Sequence, residues 1–70
     1  MMPLTLAPIG EENIIRKVGG KADVKKRLED LGFVTGGYVT VVSIMGGNII
    51  VNIKDSRIAI NREMANKIMI

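Results

Sequence analysis

From Tyr38 to Asn61 the chain alternates short stretches rich in β-branched residues with two-residue breaks. This pattern constrains the fold more than any other feature. Strands joined by two residues can only be antiparallel neighbours, because a parallel pair needs a crossover of a dozen residues or more. Tyr38–Met45 carries Val39, Thr40, Val41, Val42 and Ile44 and reads as the first long strand. Gly46-Gly47 reads as a tight hairpin turn, with both glycines supplying positive φ. Asn48–Lys54 then alternates, with Ile49, Val51 and Ile53 on one face and Asn48, Ile50, Asn52 and Lys54 on the other. Asp55-Ser56 marks a second turn, and Arg57–Asn61 alternates again with Ile58 and Ile60 inward. Together these segments form an antiparallel meander of three strands.

The flanks of the meander are shorter. Asn61 is placed to cap one helical turn over Arg62–Asn66, which brings Met64 and Ala65 near the core. Lys67–Ile70 reads as a last short strand with Ile68 and Ile70 on one side. Ahead of the meander, Pro3 and Pro8 bracket an apolar entry segment, and Pro8 stops any strand there because it has no ladder donor. Asn13–Val18 reads as a first strand. Its alternation is imperfect, so no inward face is assigned, and Gly19-Gly20 breaks the chain after it.

One helix is predicted, over Ala22–Leu31. Val24, Leu28 and Leu31 recur at i, i+4 and i+7 and make one apolar stripe, and Gly32 stands where a left-handed C′ residue is wanted. A ten-residue helix is not stable alone in water, so it must lie on the strands. With 70 residues there is material for one domain and a thin core. Five short strands of this size curl instead of staying flat, and the terminal strand returns beside the first. The expected fold is mainly β. It is a small SH3-like five-stranded barrel whose inserted helix plugs one open end with Val24, Leu28 and Leu31. Gly36 or Gly37 makes the turn into the long strand.

The side-chain inventory excludes several chemistries at once. With no Cys and no His there is no disulfide scaffold, zinc finger, thiol nucleophile or histidine acid–base pair. The adjacent carboxylates, Glu11-Glu12 and Glu29-Asp30, do not converge on a substrate, Ser43 and Ser56 lack a base, and no phosphate-binding loop motif is present. No catalytic residue, cofactor or metal ligand is assigned, and the chain is not expected to be an enzyme. Without imidazole, and with scattered carboxylates, a high-affinity Fe²⁺ site is not expected. The five methionines read as gap-filling and chain-start residues. No apolar run approaches the ~20 residues of a membrane span, and Met1–Ile9 carries no secretory pattern, so a cytoplasmic location is expected, peripheral to a membrane at most.

Charge is distributed unevenly. Met1–Ile15 sums to −2, Arg16–Arg27 to +5 and Leu28–Ile70 to zero, for a net +3. Lys25, Lys26 and Arg27 therefore lie on the polar side of the predicted helix as candidates for contact with an acidic surface. Tyr38, one of only two aromatics, is the other partner-binding candidate. A terminal edge strand offers a further place for pairing, with a second copy in a weak homo-oligomer or with another protein.

Arg27-Leu28, Leu31-Gly32-Phe33, Gly36 and Val39-Thr40-Val41 together resemble the R-L-x-x-L-G-(large apolar)-x-x-G-x-x-V-x-V segment of the FeoA family of small ferrous iron transport proteins. Ile58-Ala59-Ile60 with Ala65 and Ile68 is similar to that family's closing pattern, and Leu4, Gly10 and Gly19-Gly20 fall in the same order. The resemblance covers nearly the whole chain. It implies an SH3-like barrel with a helix after the first strand, and a cytoplasmic accessory role beside FeoB, the membrane ferrous iron transporter with a cytosolic GTPase domain. Two departures stand out: Thr35 where the family often has Pro, and a Gly46-Gly47 hairpin shorter than many in the family. Two alternatives follow from the small basic barrel itself. One is nucleic-acid binding, which the near-absence of stacking aromatics disfavours, so no nucleic-acid partner is expected. The other is the SH3-like module of an iron-dependent repressor, whose helix-turn-helix is missing here.

Overall fold

The computed structural model describes residues 1–70. A 3₁₀ turn over Leu4–Leu6 leads to β1 (Glu12–Ile14) and β2 (Lys17–Val18), then to α1 (Ala22–Asp30). β3 (Tyr38–Met45), β4 (Asn48–Ile53) and β5 (Ser56–Asn61) follow, then α2 (Arg62–Ala65) and β6 (Ile68–Met69). All pairings are antiparallel: β1-β3-β4-β5 form one sheet, and β2-β6 form a second. The result is a small barrel left partly open, with the three-strand meander and the returning last strand as expected.

There are six strands and not five, because the expected strand Asn13–Val18 divides. Ile15 and Val18 are both buried. They are three residues apart, so no regular period-2 strand can turn both inward. Instead the chain changes partners at this point. The Ile15 N–H donates to the Gly37 carbonyl at 2.8 Å, while the Arg16 N–H donates to the Met69 carbonyl at 2.8 Å. The imperfect alternation of this segment is the trace of that change of sheet. The termini close the second sheet, with Met2 and Ile70 exchanging both backbone bonds at 2.8 and 2.9 Å.

The helix starts where predicted but ends at Asp30. Its C-terminus is a Schellman motif: the Phe33 N–H bonds to the Leu28 carbonyl at 2.9 Å and the Gly32 N–H to that of Glu29 at 3.0 Å, with Gly32 at φ +111°. This geometry corrects the expected stripe. Leu28 is fully buried and Val24 packs against the core, but Leu31 is the C-cap and is 39% exposed. The left-handed step at Gly32 turns the chain back, leaving Leu31 at the surface while Phe33 is fully buried.

The turns shift in detail. Only Gly46 of the Gly46-Gly47 pair has positive φ, +61°. The second turn lies at Lys54-Asp55, one residue earlier than expected, since Ile53 pairs with Ser56. Lys54 is the one non-glycine residue with positive φ, at +54°. Gly36, at φ +90°, makes the turn before β3 and donates its N–H to the Ile15 carbonyl at 2.7 Å. A register shift between Val41 and Ser43 lets the long β3 bend.

The core has fourteen buried residues, all apolar, with no buried polar or charged side chain. Ile49, Val51 and Ile53 of β4 belong to it as their alternation predicts, together with Ile60, Ala65, Ile68 and Ile70. α2 is capped as expected, with Asn61 Oδ1 accepting from the Met64 N–H at 2.7 Å.

Candidate functional site

Two exposed surfaces carry the polar chemistry of this molecule. The first is the outer side of α1. The helix packs against β2 through its buried stripe, which leaves Lys25, Lys26 and Arg27 exposed to solvent. The segment from Arg16 to Arg27 holds six basic residues against Asp23 alone. Arg27 also borders a cleft of about 190 Å³ between α1 and α2, whose apolar lining comes from Val24 and Met64 and whose rim adds Glu63 and Lys67. Lys67 comes from the far end of the chain, and its stem passes close to Gly20: a Cβ on Gly20 would stand 3.7 Å from the Lys67 Cδ. The helix-to-helix cleft thus extends the basic face beyond the contiguous sequence block. Sequence reasoning missed Lys67; its only signal was a position three residues after Met64.

Tyr38 does not join this face. It is the first residue of β3 and the cross-strand neighbour of Ile14, with both side chains standing on the solvent side of the four-stranded sheet. The four sequence-predicted partner residues therefore divide into a helical trio and one sheet residue.

The second surface is a wider cleft, about 570 Å³, between the N-terminal residues Met1 and Met2 and the strand Glu12–Ile14. The sequence suggested an edge strand open to pairing, at a chain terminus, but not at β1. It exists because the first strand changes sheets, and it leaves one side of β1 without a partner.

No group of three or more Asp or Glu side chains converges anywhere on the molecule. The remaining glycines serve the backbone: Gly46 and Gly47 stand in open space at the hairpin, where a side chain would meet nothing within 4 Å. What the surface offers is charge, a free strand edge and shape, which are means of contact. No helix is long and apolar enough to cross a membrane.

Comparison with known proteins agrees with the resemblance read from the motifs. Residues 2–70 match the family model of the FeoA domain. The whole chain is 37% identical to a Methanocaldococcus jannaschii protein named, by inference, Fe(2+) transport protein A, and covers 85% of it. The FeoA protein of Chlorobium tepidum superposes with a TM-score of 0.87 at 28% identity, over 97% of this chain and 67% of that one. The zinc-complexed FeoA of Stenotrophomonas maltophilia, described as a procaryotic SH3 domain protein, gives a TM-score of 0.85 at 24% identity, over 99% of this chain and 88% of that one. The fold is SH3-like.

Proposed function

The chain belongs to the FeoA family of ferrous iron transport accessory proteins, and from that premise we propose that it works in the cytoplasm by docking on the cytosolic part of an FeoB-type membrane transporter. The observation that carries this reading is the exposed basic face of α1. Lys25, Lys26 and Arg27 project from a helix anchored to the barrel, so docking need not disturb the core. Such a face recruits an acidic protein surface through steering and charge complementarity. The protein contributes no reaction of its own; it changes the transporter by binding to it.

The test is a titration of isotope-labelled protein with the purified cytosolic domain of the transporter, nucleotide-free and GTP-loaded, followed by NMR shifts. The expected shifts centre on Lys25, Lys26 and Arg27 and extend to Lys67. Lys25→Glu with Lys26→Glu should weaken binding at least about tenfold, equivalent to about 1.4 kcal/mol, and leave thermal unfolding unchanged. Absence of binding at high micromolar concentration in both nucleotide states would overturn the reading.

A further inference from the structure

The open edge of β1 lies on the side of the molecule where the N- and C-terminal segments meet. The stretch from Glu12 to Val18 is one continuous edge shared by two sheets. On its β3 side it is paired along β1, and Ile15 still bonds to that side through Gly37 and Gly36. On the opposite side only its second half is filled: Arg16 donates to Met69, and Lys17 and Val18 pair with Met69 and Ile68. Bonding direction alternates along an antiparallel strand. Since Ile15 faces β3 and Arg16 faces β6, the backbone groups of Ile14 and Glu12 face the same way as Arg16. β1 is the end strand of its sheet, so those groups meet no strand.

The space beside them is shaped for one. The cleft of about 570 Å³ has Glu12, Asn13, Ile14 and Arg16 along one side and Met1, Met2 and Ile70 along the other. A segment entering it would run antiparallel to β1 and in line with β6. It would also complete rows of side chains already begun: Tyr38 and Ile14 are cross-strand neighbours with 56% and 42% of their surface exposed, and Thr40 and Glu12 form the next pair. The other sheet edge, β5, offers less. The wider cleft does not reach it and the smaller one touches only its last residue, Asn61; α2 packs on it, and the exposed Arg57 is held against Asn52 at 3.2 Å.

We propose that the β1 edge is a binding site for an extended polypeptide segment, which adds as an antiparallel strand opposite Glu12–Ile14. The two rows fix its chemistry. An aliphatic residue stands opposite Ile14, and a basic residue two positions later stands opposite Glu12, where a charge pair across strands is favourable. Main-chain bonds supply affinity and the two side chains supply selectivity. A segment of another protein fits this site better than a second copy of the barrel, because the edge is walled by Met1 and Met2 on its far side and spans only three residues. The proposal does not depend on which protein supplies the segment.

The probe is a capped pentapeptide, acetyl-Thr-Val-Thr-Lys-Thr-amide, titrated to millimolar concentration into labelled protein. The expected result is saturable shifts and slowed hydrogen exchange at the Glu12 and Ile14 amides, with the β5 amides unaffected. The same peptide N-methylated at Val and Lys keeps its side chains but loses both donors, and should not bind. Glu12→Lys should weaken the parent peptide roughly two- to five-fold, as loss of a cross-strand charge pair predicts. Unshifted Glu12 and Ile14 amides, equal binding of the N-methylated peptide, or shifts centred on β5 would each overturn the proposal. Concentration-dependent dimerisation of the free protein with protection of the same two amides would overturn it in favour of a second copy.

Discussion

Gly32 and Lys54 both hold the backbone at positive φ, and they separate two kinds of strain. At Gly32, φ is +111° and a Cβ would stand 3.8 Å from Ile53, an ordinary contact. The cost of a side chain there is therefore conformational, not steric. Gly32→Ala should lower stability by about 1–2 kcal/mol, measured by chemical denaturation, while the Phe33 ring stays in place. Lys54 already bears such a cost at φ +54°. Lys54→Gly relieves it but frees the unfolded chain, so the net gain should be only about 0.5–1 kcal/mol. A loss of stability would show that the Lys54 stem contributes packing that outweighs its backbone strain. Gly32 was legible in the sequence because a helix end followed by glycine has a specific hydrogen-bonding solution. Lys54 was not, because lysine carries no turn signal; the Ile53–Ser56 pairing sets that turn through the alternation of β4 and β5.

At the scale of elements, the helix shows how far periodicity reads. Val24, Leu28 and Leu31 share a spacing, yet only Leu28 is sealed in the core. Periodicity gives the direction of a stripe and not where the chain leaves it, and the Schellman turn removes Leu31 at the last step. Leu28→Ala should therefore cost about 2–5 kcal/mol, a large part of the whole stability of so small a domain. Leu31→Gln should stay within about 0.5 kcal/mol of the parent. Comparable losses at both positions in urea unfolding would restore the three-residue stripe. At α2 the sequence was sufficient, since an Asn before a short polar turn has a direct use for its side chain. Asn61→Ala leaves the Met64 N–H without its 2.7 Å acceptor and should cost about 1 kcal/mol. The division of the first strand could not be derived from local pattern, because it depends on β3 and β6 arriving on opposite sides of consecutive residues. The β1 cleft was hidden for the same reason: it is made by chain segments from both ends of the sequence.

For the molecule as a whole, charge and strand edge act by different physics, and that difference is measurable. The net +3 comes from one block: the stretch before Arg16 is acidic and the stretch after Arg27 neutral, so reversing Lys25 and Lys26 lowers the net charge by four, to −1. No buried polar group depends on those lysines, and the core is wholly apolar. Charge reversal should thus change association and leave folding alone. The basic block was legible as composition, but its continuation to Lys67 and its separation from Tyr38 needed the fold. An exposed ionic contact is screened once the Debye length falls below the spacing of the charges, from about 10 Å at 0.1 M salt to about 3 Å at 1 M. Strand addition relies mainly on backbone bonds and is far less sensitive. Raising salt across that range should weaken binding of the transporter's cytosolic domain at least about fivefold, while pentapeptide affinity at β1 changes by less than about twofold. If pentapeptide affinity fell as steeply with salt, the Glu12 charge pair and not the backbone bonds would be what holds the added strand.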